Sequence, residues 1–189
     1  MKNQLKTYLN RYVYFSDTEI DLIYSQLKEK TFKKKAFLLK ESKVCKFNYF
    51  ILKGLVRSFY IDEKGKEKIT LFAIDNWWVT NTESFIKQTP SIQYIQAIEE
   101  TTVLYLSKET LEILYNKCPK LERAFRIITE NMLIANQRKS DVFLQMKSKE
   151  RYNDFVKKLP DFIQRVPQYM IASYLEISPE YLSELRKPK

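Results

Sequence analysis

Two carboxylates and two cations close to the carboxy terminus are the side chains whose types and spacing could do recognition chemistry. Glu180 and Glu184 stand one helical turn apart in the stretch IASYLEISPEYLSELRK, residues 171–187, with Arg186 and Lys187 just beyond them. A carboxylate at a base edge accepts a hydrogen bond from the amino group of cytosine, and Arg and Lys neutralise phosphates. Other chemistries are closed by composition. The chain has no histidine, which excludes histidine acid/base catalysis, Ser-His-Asp and Cys-His nucleophiles, and histidine ligation of haem or zinc. Cys45 and Cys118 lie far apart and fit neither a disulfide framework nor a multi-cysteine metal site. Only Gly54 and Gly65 are glycine, so no phosphate-cradling loop of the usual kinds is available. The chain is expected not to be an enzyme and to need no cofactor or metal.

The acids of this segment need a scaffold, and the local pattern supplies one. Ile171, Leu175, Ile177, Leu182 and Leu185 occupy the apolar places of a helix-turn-helix unit, and Ala172 takes the small place where the two backbones touch. Ser178 is a helix cap, Pro179 suits the first helical position, and Glu180 then sits at the positive end of the helix dipole. Glu176 falls at the corner, where the backbone goes left-handed and glycine is usual, at a cost on the order of 1 kcal/mol. Two readings stay open: a DNA reader, or a helical hairpin that only closes a core. For a reader, attraction to phosphate must come from Arg186, Lys187 and Lys189, with Lys157, Lys158 and Arg165 upstream.

The rest of the chain is read as what holds that unit. SDTEIDLIYSQL offers a capping box, Ser16 with Glu19, before Ile20, Ile23 and Leu27 at helical spacing. From Thr31 to Ser107 short aromatic and β-branched segments predict about eight antiparallel strands, with Gly54 breaking one pair and DEKGKEK making the next turn. Ser107 caps a helix, and Pro119 opens a long helical run toward Met146. Its apolar seam, Leu121, Phe125, Ile128, Met132, Ala135, Val142 and Met146, is interrupted by Lys139. Such a seam predicts either pairing with a second copy or packing on the chain's own β unit. Helix resumes from about Lys149 to Lys158, and Pro160 and Pro167 punctuate the stretch beyond it.

With 33 Lys and Arg against 23 Asp and Glu, the net charge of +10 favours a polyanionic partner. No apolar run reaches the roughly 20 residues of a membrane helix, and the amino terminus lacks a signal-peptide centre, so a cytoplasmic protein with no membrane partner is expected. The run KEKTFKKK, residues 28–35, reads as a polyanion patch or a solvated face.

In this order, a β unit with YFILKGLVRSFYIDEKGKEKI, a long helix after NKCPKLERAF and the corner RVPQYMIASYLEISPEYLSELRK, the chain resembles the Crp/Fnr (cyclic-AMP-receptor type) bacterial transcription regulators over nearly its whole length. The resemblance implies an α+β protein with three parts. These are an N-terminal jelly-roll β-roll, cyclic-nucleotide-binding-like, over residues 1–118, a dimerisation helix over 119–147, and a C-terminal helix-turn-helix domain over 148–189. It also implies a homodimer paired through the long helix, double-stranded DNA as partner, and an unidentified small-molecule effector. Carried over position by position, Glu180 matches an acidic base-contacting site, Pro179 and Glu184 fall where base-contacting arginines lie, and Ser178 matches a phosphate contact. Tyr181, Ser183, Arg186 and Lys187 complete the expected DNA-binding set.

The departures from the family are specific. Where nucleotide-binding members carry a Gly-Glu pair and an Arg-Ser, the stretch WWVTNTESFIKQTPSIQYIQA has Thr80 and Asn81, then Ser91 and Ile92. Without the guanidinium an anionic phosphate loses its strongest partner, so no response to cyclic AMP is expected. Trp77, Trp78, Thr80, Asn81, Phe85, Ser91 and Tyr94 are read as lining either a vestigial effector pocket or ordinary core. With the sequence stopping at Lys189, the family's winged hairpin is expected to be absent. A β-roll sensing or protein-interaction module without DNA binding is the rival reading.

Overall fold

The computed structural model describes residues 1–187. Two amino-terminal helices, α1 (Lys2–Leu9) and α2 (Asp17–Ser25), precede eight strands: β1 (Lys28–Phe32), β2 (Phe37–Leu39), β3 (Phe47–Lys53), β4 (Leu55–Ile61), β5 (Glu67–Ile74), β6 (Trp78–Val79), β7 (Tyr94–Ala97) and β8 (Thr101–Ser107). A short helix, α3 (Thr82–Lys87), lies between β6 and β7. Then come α4 (Lys108–Lys117), the long α5 (Pro119–Gln145), α6 (Ser148–Lys158), α7 (Pro160–Arg165), α8 (Gln168–Tyr174) and α9 (Pro179–Leu185). The strands form two antiparallel four-stranded sheets, ordered β1-β8-β3-β6 and β2-β7-β4-β5. The result is an α+β chain in which a jelly-roll-like β unit is followed by a long helix and a helical carboxy-terminal unit.

The predicted capping box forms: Ser16 Oγ accepts from the Glu19 amide, and the Glu19 carboxylate accepts from the Ser16 amide at 2.8 Å. Ser107 caps α4 and Pro119 opens α5, as their residue types require. The run KEKTFKKK contributes its first five residues to β1, a sheet edge with four exposed positions, and lysines on an edge oppose unwanted strand pairing. Two helices escape the apolar periodicity. The first, α1, precedes the capping box, and α3 is a six-residue turn capped by Asn81, whose side chain accepts from the Ser84 amide at 2.9 Å.

Strands β3 and β4 are buried on both faces, which is why FNYFILKGLVRSFYI is nearly continuous in apolar residues. On β3, Phe50 faces the helices, 5.1 Å from the Tyr8 ring of α1 and 5.2 Å from Trp78. Its neighbour Tyr49 turns the other way and donates to the Leu38 carbonyl of the opposite sheet at 3.2 Å. On β4, Val56 enters the core between the sheets. Leu55 and Phe59 face outward into a second core that also holds Ile69, Phe72 and Ile98 from the roll, with Tyr152, Phe162, Val166, Met170, Ile171, Ala172, Leu175 and Leu182 from α6 to α9. At roughly 1.5 to 3 kcal/mol for each large apolar side chain buried, this shared core is a principal bond between roll and carboxy-terminal helices.

Gly54 makes the passage from one sheet to the other. Its φ of +127° suits glycine, its amide donates to Asp75 Oδ1 at 2.6 Å, and a Cβ would lie 2.7 Å from the Thr101 Cα, a backbone atom that cannot yield. Gly54→Ala is therefore expected to destabilise the chain by about 2 kcal/mol or more. Urea denaturation checks this; an unchanged midpoint contradicts the close approach.

Candidate nucleic-acid interface

Helices α8 and α9 form the corner that the sequence predicts. The end of α8 is tied by two backbone hydrogen bonds, Ile177 N to Ala172 O at 3.0 Å and Glu176 N to Ser173 O at 3.2 Å, the Schellman pattern. That pattern needs a left-handed residue between them, and Glu176 supplies it with φ +55°. Ser178 then caps α9 by accepting from the Tyr181 amide at 3.1 Å, with Pro179 in the first turn. Leu182 is buried beneath α9 and Leu185 packs against the same core, whereas Ser178, Pro179, Glu180, Tyr181, Ser183, Glu184, Arg186 and Lys187 are all exposed. All eight residues of the expected DNA-binding set are thus solvent-exposed. The Glu180 carboxyl is held below the usual carboxylate range by its own backbone amide and the Ser178 hydroxyl, with a smaller effect from Lys66.

The unit is seated by polar contacts that sequence patterns do not reveal. Ser173 of α8 donates to the Glu67 carbonyl at 2.8 Å and accepts from the Ile69 amide at 3.1 Å, so its hydroxyl completes the bonding of edge strand β5. Lys139, the interruption in the α5 seam, donates to the Thr70 carbonyl of the same strand at 3.0 Å and lies 3.9 Å from the centre of the Tyr174 ring. Desolvation pushes its ammonium below the ordinary lysine value, and the Glu176 carboxylate opposes that shift. Arg151 of α6 donates to the Met146 carbonyl at the end of α5, at 3.0 Å, and to the Leu175 carbonyl at the end of α8, at 3.2 Å, placing a cation at two helix carboxy termini.

Of the upstream cations expected to attract phosphate, Arg165 is turned to the roll instead. It pairs with Glu99 at 2.6 Å and donates to the Gly54 carbonyl at 3.2 Å. Lys158 pairs with Asp154 at 2.8 Å, and Lys157 is exposed. Lys189 lies outside the described residues.

The set read as an effector pocket is dispersed. Trp78 and Phe85 are buried, and Trp78 packs 4.9 Å from Phe125 of α5, while Trp77 is half exposed. Thr80 donates to the Phe47 carbonyl, Asn81 caps α3, and Ser91 donates to the Gln93 carbonyl. Tyr94 departs from the group. Alternation along β7 sends its neighbour Ile95 into the inner core and Tyr94 outward, stacked 5.0 Å from Phe59 with its hydroxyl on Glu41.

The predicted seam of α5 also divides. Leu121, Ala124 and Ile128 are buried against the chain's own roll. By contrast, residues 129–138 are exposed without exception, and Met132, Leu133 and Ile134 are 42%, 58% and 42% exposed.

Comparison with known proteins fits this architecture. The model of the cyclic nucleotide-binding domain matches residues 29–118, the roll and α4. The anaerobic regulatory protein of Aggregatibacter actinomycetemcomitans is 26% identical over 148 residues, 72% of this chain and 57% of that protein. These matches support a likeness to the Crp/Fnr regulators. Among solved structures, FixK2 from Bradyrhizobium japonicum superposes with a TM-score of 0.73 at 17% identity, covering 84% of this chain and 82% of that one. The c-di-GMP responsive global regulator CLP of Xanthomonas campestris gives 0.75 at 13% identity, covering 90% and 89%. The chain spans less than two thirds of the length of the anaerobic regulatory proteins it matches. Those relatives are regulatory proteins, and no helix among the described residues is long and apolar enough to cross a membrane.

The left-handed Glu176 gives a direct test of the corner. A residue with a Cβ costs about 1 to 2 kcal/mol in that conformation, part of which glycine gives back as unfolded-chain entropy. Glu176→Gly is expected to raise stability by about 0.5 to 1 kcal/mol, read as a higher urea midpoint. A loss of that size shows instead that the carboxylate near Lys139 outweighs the backbone strain.

Proposed function

We propose that this chain is a homodimeric, sequence-specific DNA-binding transcription regulator of the Crp/Fnr type, working in the cytoplasm and not answering to cyclic AMP. The observation that carries the reading is the exposed side of α9 and its two ends: Pro179, Glu180, Tyr181, Ser183 and Glu184 on the helix, Ser178 before it and Arg186 and Lys187 after it are all exposed, while Leu182 anchors the buried side. In such a unit the second helix enters the major groove. Glu180, at the first turn, reads a cytosine amino group, while Ser178 and the cations Arg186 and Lys187 meet phosphates.

The second element is α5. Met132, Leu133 and Ile134 leave apolar surface on a stretch of helix that is exposed throughout in the described residues, and a second copy of the same helix covers it. Two copies related by a twofold axis present two α9 helices to successive major grooves of a pseudo-palindromic site. The rival reading, a sensing or interaction module without DNA contact, draws on the two outward carboxylates of α9, which repel phosphate. An effector, where one acts, works on the roll and resets the spacing of the two readers by binding one arrangement better than the other.

Selection of bound sequences from random duplexes by the purified chain is expected to enrich a two-fold-symmetric site; no enrichment at low salt favours the rival. On that site, Glu180→Ala is expected to relax preference at one base pair in each half by roughly 1 to 3 kcal/mol, whereas an equal loss on all sequences removes Glu180 from base reading. Met132→Glu with Leu133→Glu is expected to give monomers in sedimentation with an unchanged circular dichroism spectrum. Retention of the dimer places the contact elsewhere.

A further inference from the structure

The hairpin joining β4 and β5, with its tip at residues 62–66, is docked at its base on α8, the helix that leads into α9, and no role in recognition attaches to it from the sequence, where DEKGKEK is only a turn. Resting on the DNA-binding reading above, we propose that this hairpin is a second DNA-backbone contact, with Lys64 and Lys66 taking phosphates on the side of the groove opposite Arg186 and Lys187.

Its position is fixed relative to the reader. The Ser173 hydroxyl binds the Glu67 carbonyl and Ile69 amide immediately beyond the tip, and Lys139 holds the Thr70 carbonyl one residue further on. The tip is itself a closed turn. Asp62 Oδ1 accepts from the Lys64 and Lys66 amides at 3.0 and 2.8 Å, and the Asp62 and Lys66 backbones pair at 2.9 Å. Gly65 has φ +73°, and a Cβ there would meet nothing within 4 Å, so the tip is open to an incoming surface.

Charge supplies the partner. Lys64 and Lys66 are exposed and, among the described residues, belong to no ion pair. Of the hairpin's acids, Asp62 is engaged by its turn amides and by Lys68 at 3.8 Å, and Glu67 by the Arg57 guanidinium at 2.8 Å, while Glu63 is exposed and in no ion pair among the described residues. Meanwhile α9 turns Glu180 and Glu184 outward, and both repel phosphate. A helix that reads bases with carboxylates needs cations at its two ends, where the strands bordering a groove pass. Arg186 and Lys187 stand at one end. Lys66, close enough to act on the Glu180 carboxyl, marks the other.

The test measures affinity of the full chain and of Lys64→Gln/Lys66→Gln across a salt series, on the selected duplex and on an unrelated one. Two lysines from each of two protomers, at about 0.9 counterions per phosphate, predict that the slope of log affinity against log salt falls by roughly 3 to 4, with the ratio of affinities for the two duplexes unchanged. An unchanged slope overturns the proposal, and so does tighter binding by the variant, which makes the tip a shield over α9. If the unaltered chain binds neither duplex, the DNA-binding reading fails and the hairpin proposal fails with it. If the unaltered chain binds and the folded variant matches it, the hairpin proposal alone is overturned.

Discussion

Strand β5 is a sheet edge with an apolar face beside it, and the arrangement of the chain depends on how both are covered. Leu55, Phe59, Ile69, Phe72 and Ile98 would leave a wet patch on the outside of the roll. The carboxy-terminal helices cover it, and the Ser173 hydroxyl and Lys139 ammonium occupy backbone groups of the edge that no ninth strand pairs. Position of α8, burial of Lys139 and the docking of the hairpin base on α8 are all set by that one contact. Because the core is shared, a change of shape in the roll reaches α8 through packed side chains rather than through a flexible linker.

The same rule, that apolar surface is covered, is broken over a continuous stretch of α5. From residue 129 to residue 138 the long helix is bare, although Met132, Leu133 and Ile134 lie there. The first third of α5 is satisfied by the roll through Leu121, Ala124 and Ile128, and its far end approaches β5 and α8 through Lys139. The bare stretch between these anchors is the surface that the proposed dimer would cover, and covering it leaves α8 and α9 docked on the roll.

Much of this was legible in the residues. Ser16 with Glu19, Ser107, Pro119, Ser178 and Pro179 mark helix starts by local chemistry, and each forms the start it announces. Glu176 is legible as a strained corner because the Schellman turn demands a left-handed residue whatever its type. What escaped depends on tertiary placement. The mid-seam Lys139 reads as an interruption until strand β5 and Tyr174 are beside it, and Arg165 reads as a phosphate cation until Glu99 faces it. Nearness in sequence groups Tyr94 with Trp78, yet the alternation of β7 puts it on the opposite face of its sheet from Ile95, stacked on Phe59. The hairpin lysines carry no sequence signal for a role beside α9, since only the docking of α8 brings them there.

The central claim is that two chains act as one reader on one duplex. Sedimentation velocity of the protein with a duplex carrying the selected site tests it most directly through the mass of the complex. The account predicts two protomers per duplex and a dimer in the absence of DNA. One protomer per duplex, or a monomer at micromolar concentration with and without DNA, contradicts it.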